Sequence, residues 1–198
     1  MWGARAEQGP LAVPGKYQVQ VTANGQTQTQ PLSIKLDPRE TVTQTELEEQ
    51  FKLAVAVRDE VSRANEMVIE IRQIVKDAKD RAGEVKDEQL SSSGASLRDK
   101  LSTIEEEIYQ VRNRANEDPL NFPMKLNNQI AALARSIETG DNPPTDQSHE
   151  IYQLLTERLN AVQAKFDNAI KGDLAHFNQL LATHNLPEIQ PVAAQDHK

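Results

Sequence analysis

Apolar and polar positions follow two different periods along this chain. Between Lys16 and Leu36 the period is two: Tyr17, Val19 and Val21 alternate with polar residues, as do Leu32, Ile34 and Leu36, with Asn24-Gly25 between the runs. Such alternation marks a half-buried strand, and Asn-Gly suits a type I′ turn because both central positions need positive φ. Pairing Ala23 with Gln26 sets Val21 opposite Gln28, Val19 opposite Gln30 and Tyr17 opposite Leu32. Opposed residues share a face, so the apolar side chains of this predicted hairpin fall on one side, and Gln18, Gln20, Thr22, Thr27, Thr29 and Ser33 on the other. A lone hairpin is marginal in water. Its apolar face therefore calls for a cover, either from the helices that follow or from strands outside this chain. Pro10, Pro14 and Gly15 read as an irregular lead-in, and Asp37-Pro38-Arg39-Glu40 as a stiff linker.

After residue 42 the apolar spacing changes to alternating threes and fours, the seam of a helical bundle or coiled coil. A first helix is predicted from Thr43 to about Arg81. Thr43 and Glu46 form its capping box, Val42 staples onto Leu47, and Leu47, Phe51, Ala54, Val57, Val61, Ala64, Val68, Ile71, Val75 and Ala78 form its seam. Gly83 and Ser91-Ser92-Ser93-Gly94 read as a loosened connection. A second helix is predicted from near Ser96, with Asp99 as box partner, to near Asn116, carrying Leu97, Leu101, Ile104, Ile108, Val111 and Ala115. Prolines 119 and 123 break the pattern, since each is suited to a first turn and not to a helix interior. A third helix carries Leu126, Ile130, Leu133 and Ile137 and stops at Gly140. Thr145 or Asp146 caps a last helix with Ile151, Leu155, Leu159, Val162, Phe166, Ile170, Leu174, Phe177 and Leu181, weakened at Gly172. Beyond Leu186-Pro187 the tail has no period and is expected to be extended or frayed.

Helix lengths suggest a topology. At ~1.5 Å per residue the first and last helices are each ~55–60 Å long, and the second and third ~30 Å and ~24 Å. Laid end to end, the short pair nearly matches either long helix. The predicted fold class is therefore mainly α: an antiparallel three-helix bundle with a broken middle helix, preceded by a β-hairpin. A four-helix bundle is the alternative. The divisions follow as residues 1–40 for hairpin and linker, 41–186 for the bundle and 187–198 for a flexible tail.

Composition narrows the function classes. A net charge of −8, from 22 Lys+Arg against 30 Asp+Glu, repels phosphate backbones, and the basic residues form no stripe, so nucleic acid is not expected as a partner. No apolar run approaches the ~20 residues of a membrane-spanning helix. Cysteine is absent, which removes disulfides and thiolate chemistry without fixing the compartment. Met1-Trp2-Gly3-Ala4-Arg5 has no basic segment followed by an apolar run and does not read as a secretory signal.

Candidate chemistry is sparse. Of the four histidines, none belongs to a His-Glu-x-x-His pair. Asp146/His149 and Asp173/His176 have the i,i+3 spacing of di-iron helices, but both sit on the last helix, ~40 Å apart, and are read as surface or capping groups. Glu105-Glu106-Glu107 point ~100° apart in turn and read as a solvated face. The serine run lacks a nucleophile frame. No catalytic residue, metal site or cofactor is expected. The most specific local feature is Arg112 and Arg114 followed by the proline-interrupted segment. It reads either as a structural kink or as a partner-docking surface of Arg112, Arg114, Asn121, Phe122 and Asn127. Trp2 reads as a lone aromatic left from a packed strand.

Three stretches carry a family likeness: Gly9-Pro10-Leu11-Ala12-Val13-Pro14-Gly15-Lys16-Tyr17, Gln30-Pro31-Leu32 through Asp37-Pro38-Arg39, and Ile108-Tyr109-Gln110-Val111-Arg112-Asn113-Arg114 through Asp118-Pro119-Leu120-Asn121-Phe122-Pro123. In this order they resemble the C-terminal end of large bacterial exported proteins with neuraminidase-type (BNR, Asp-box) repeats in a sortilin-like β-propeller, often labelled glycosyl hydrolases. The resemblance implies that the hairpin is the end of an immunoglobulin-like domain, that the helices form a terminal bundle, that the location is extracellular or periplasmic, and that Met1 lies within a longer protein. No Ser-x-Asp-x-Gly-x-x-Trp box occurs here, so no catalytic residue carries over. The expectation is a non-catalytic accessory module whose partner is the rest of its own parent chain or another protein. Hydrolase activity, and a coiled-coil protein forming a homo-oligomer through the hairpin face or the helix seams, are the alternatives.

Overall fold

The computed structural model describes residues 9–115 and 117–191. Trp2, Asn116, His197 and the far end of the tail lie outside them. Two antiparallel strands, β1 (Gly15–Ala23) and β2 (Gln26–Ile34), form the hairpin in the register predicted, Ala23 opposite Gln26 through Tyr17 opposite Leu32. Asn24 and Gly25 take φ of 51° and 75°, the two left-handed positions of a type I′ turn. The Tyr17 hydroxyl donates to the Val13 carbonyl at 2.6 Å and ties the lead-in to the strand.

The helices do not cover the hairpin. Val19, Val21 and Leu32 remain 45%, 60% and 46% exposed, while Tyr17, Ile34 and Leu36, toward the bundle, are half-buried. The joint is slight: the Leu11 amide donates to Glu138 Oε1 at 2.8 Å, and Gln44 Nε2 to the Pro14 carbonyl at 3.1 Å.

Helix α1 (Gln44–Ala82) starts with the capping box foreseen: Glu46 N–H donates to Thr43 Oγ1, and Thr43 N–H to Glu46 Oε2 at 2.7 Å. Its buried set is broader than a single seam. Leu53, Met67 and Ile74 join Ala54, Val57, Ala64, Val68, Ile71 and Ala78, whereas Phe51 is left 37% exposed. A helix packed by neighbours on two flanks buries a stripe wider than the coiled-coil a/d positions.

Helix α2 (Glu88–Ile108) corrects the sequence expectation at both ends. It begins well before Ser96, with Asp87 as the cap accepting from the Leu90 amide at 2.6 Å, and it ends at Ile108 instead of running on toward residue 116. The serine run is helical. Leu90 and Gly94 continue the seam of Leu97, Leu101, Ile104 and Ile108 upstream, and all of them are buried. Tertiary burial there outweighs the weak helix propensity of serine and glycine. A 3₁₀ turn at Asp118–Leu120 takes Pro119 into its first turn.

Helix α3 (Leu126–Ile137) matches expectation, and buried Gln50 of α1 donates to the Ile137 and Gly140 carbonyls at 2.8 and 2.6 Å, satisfying its C-terminal end. Thr145 caps α4 (Asp146–Ala169), which passes through a π-helical turn at Ile170–Leu174 into α5 (Ala175–Thr183). That turn surrounds Gly172, the position expected to weaken the helix. Asn185, at φ 55°, ends α5, and the Leu186 amide returns to the Leu181 carbonyl at 3.0 Å. The following chain is not frayed as far as residue 191: Ile189 is buried, and its amide and carbonyl both bond the Asn178 side chain at 3.0 Å.

The molecule is thus mostly helical, with four helices (the last spanning α4 and α5) behind a two-stranded hairpin among the described residues. Side-chain bonds order them. Along α1, Gln50 meets the end of α3, Asn65 meets Asn127 at its start, and Arg72 pairs with Glu105 near the end of α2 at 2.7 Å. Along α4 and α5, Arg158 meets Gln129, Lys165 meets Glu107, and Lys100 meets Asp173. One apolar core runs through the interior, from Leu53 and Ile137 to Leu90, Phe177 and Leu181.

Candidate interaction surfaces

The segment between α2 and α3 collects most of the candidate residues. Asp118 organises it: its carboxylate accepts from the Arg114 and Ala115 amides at 2.5 and 2.8 Å, and these bonds, with the Arg114 charge, hold its pKa below the usual carboxylate range. The Arg112 guanidinium lies 5.7 Å from the centre of the half-buried Phe122 ring, within cation–π range. Buried Gln110 donates to the Pro123 carbonyl at 3.0 Å and closes the loop from beneath. Asn121 is exposed and follows the 3₁₀ turn. Arg112, Arg114, Asn121 and Phe122 therefore share one loop, beside Leu120, which is 75% exposed.

Asn127 must be removed from that surface. It is 1% exposed, and its Nδ2 faces Asn65 Oδ1 of α1 at 3.3 Å, while its own Oδ1 is buried without a partner. One position after Leu126 in α3, it lands on the flank facing α1, a placement that only the packing of the two helices decides.

The glutamate run is a solvated face only in part, because its side chains diverge around the helix and two of them reach neighbouring helices. Glu105 turns to Arg72 of α1, Glu107 to Lys165 of α4 at 2.7 Å, and Glu106 stays exposed. The two Asp/His pairs also separate. His149 is exposed at the start of α4. Asp173 pairs with Lys100 at 2.5 Å, and exposed His176 lines an open groove of about 880 Å³ between α2 and the π turn, with Ser92, Ser93 and Ser96 opposite. This groove was missed in the sequence because the serines read as linker; the spacing Leu90, Gly94, Leu97, Leu101 was the signal that the helix extends upstream. Among the described residues no group of three or more His, Cys, Asp or Glu side chains is placed to hold a metal ion, and no helix is long and apolar enough to cross a membrane.

The hairpin presents the third surface. Tyr17 to Ile34 contains no charged side chain, although 26% of the chain is charged. Its polar face holds a Thr22–Thr27 hydroxyl contact of 2.9 Å, and its apolar face is open. No family model, curated protein or solved structure matches the chain.

Proposed function

We propose that this chain is a non-catalytic accessory module: a helical scaffold that holds a β-hairpin outward for engagement with protein. The observation that carries this reading is the contrast between the two parts. The bundle gathers most of its large apolar side chains into one core and leaves Ile69, Ile151 and Leu154 exposed on charge-bearing helices, whereas Val19, Val21 and Leu32 stand exposed on one face of a hairpin that carries no charge from Tyr17 to Ile34. Exposed apolar groups in that arrangement favour contact with another polypeptide surface. The likeness to exported propeller proteins supplies the setting: a terminal module, outside the cytoplasm, whose partner is its own parent chain or another protein.

We further read α2 and α3 as one middle helix interrupted at the proline segment, which makes the scaffold a three-helix up-down-up bundle. The bonds from Gln50, Asn65 and Arg72 of α1 to successive parts of α3 and α2 support it, because they set the short pair antiparallel to one long partner.

The purified chain, offered a panel of chromogenic glycosides, is expected to turn over none. Turnover that disappears in Asp173→Asn or His176→Ala would replace this reading with a hydrolase centred on the α2–α5 groove.

A further inference from the structure

The hairpin has two edges, and they are not equivalent. In a two-residue type I′ hairpin the pair flanking the turn, Ala23 and Gln26, exchanges backbone hydrogen bonds, and such pairs then alternate along the ladder. By the observed register Val21/Gln28, Val19/Gln30 and Tyr17/Leu32 also bond internally, while Thr22/Thr27, Gln20/Thr29, Gln18/Pro31 and Lys16/Ser33 turn their N–H and C=O groups outward. The 2.9 Å Thr22–Thr27 contact agrees, since side chains approach most closely at non-bonded pairs. Pro31 therefore lies where its missing N–H faces outward. It costs the hairpin no internal bond, and it closes the β2 edge to any added strand. β1 has no such guard: it contains no proline, and its one charge, Lys16, is next to its start.

Resting on the reading of the hairpin as the contact surface, we propose that its partner is a second copy of this chain, joined edge to edge through β1, antiparallel about a two-fold axis at Val19. Full overlap of Gly15–Ala23 with itself centres on Val19, and that register is also one in which the outward groups of Lys16, Gln18, Gln20 and Thr22 meet their counterparts. Side chains match as well. Val19 meets Val19 of the second copy and Tyr17 meets Val21 on the apolar face, an aromatic and β-branched pairing; Gln18 meets Gln20 on the polar face. Lys16 falls opposite Thr22, so no like charges oppose. Antiparallel strands carry the two acidic bundles to opposite ends of the sheet, roughly 30 Å apart, well beyond the ~8 Å Debye length at physiological salt. Each copy offers one open edge, so association closes at a dimer instead of growing into a fibre.

Sedimentation of the full chain from about 1 µM to about 1 mM, the range suited to a contact of less than standard size, is expected to show mass rising from 22.1 kDa toward twice that value. Gln20→Pro, which blocks the β1 edge without removing an internal bond, should return the monomer. Thr29→Pro, its counterpart on β2, should leave the dimer intact. Unchanged far-UV circular dichroism certifies the helices in both variants, and cross-strand amide contacts in NMR spectra certify that β1 and β2 are still paired. A chain that stays monomeric throughout, a dimer that survives Gln20→Pro, or one lost equally in Thr29→Pro overturns the proposal. Monomeric behaviour without glycoside turnover removes only the self-pairing; turnover removes the accessory-module reading itself.

Discussion

Replacing Gly94 by alanine sets two known effects against each other at one buried position. Alanine in a helix interior is favoured over glycine by about 1 kcal/mol. Against this, a Cβ at Gly94 would stand 3.0 Å from Phe177 Cε2 and 3.3 Å from Ala82 Cβ. Phe177 is fully buried in α5 and Ala82 ends α1, so a shift of α2 away from one contact presses on other parts of the same packing. Overpacking of this kind costs about 1–3 kcal/mol. The net expectation is destabilisation of about 1 kcal/mol, which lowers Tm by roughly 2–4 °C for a chain of this size. Gly172→Ala is the internal control. Its Cβ would meet no atom within 4 Å, and its φ is outside the left-handed region, so the helix preference acts alone and stabilises by about 0.5–1 kcal/mol. Thermal unfolding of the two variants by far-UV circular dichroism should move in opposite directions. If Gly94→Ala melts higher than the parent, the claimed three-way approach of α1, α2 and α5 is wrong.

Asn178→Ala removes both bonds to Ile189, with an expected loss of about 1–3 kcal/mol and faster proteolytic cutting after Leu186; a cutting rate equal to the parent's would mean the tail is held by something else. Glu70 has its pKa raised first by burial and then by the Asp167 charge. A carboxyl shifted upward gives stability that is fully present below its unfolded pKa and lost as pH rises through its folded pKa. Glu70→Gln should therefore raise Tm at pH 7 and raise it less toward pH 4; an equal gain at both pH values, or a loss at pH 7, refutes the assignment.

Local chemistry determined a large part of this protein. The hairpin register follows from Asn24-Gly25, since only that turn geometry suits the alternation on either side. The start of α1 follows from Thr43 and Glu46, and α3 from its apolar spacing and Gly140. At α2 the local signals misled: Ser91 to Gly94 resemble a linker in composition, and the helix extends through them because Leu90 and Gly94 have α1 and α5 to pack against. Asn127 was equally unreadable as a buried group, because a polar residue beside an apolar stripe is exposed or covered according to how many neighbours the helix has.

The candidate surfaces divide along the same line. Arg112, Phe122 and the prolines mark a loop in the sequence, and the exposed hairpin face is visible in its alternation. That the helices leave this face bare, and that Lys100 and Asp173 meet across a groove, were decided by tertiary structure. Periodicity specifies which side of an element is apolar, through interactions a few residues apart. Which partner, if any, reaches that side depends on contacts between residues far apart in the chain, and those are fixed only when the whole core packs.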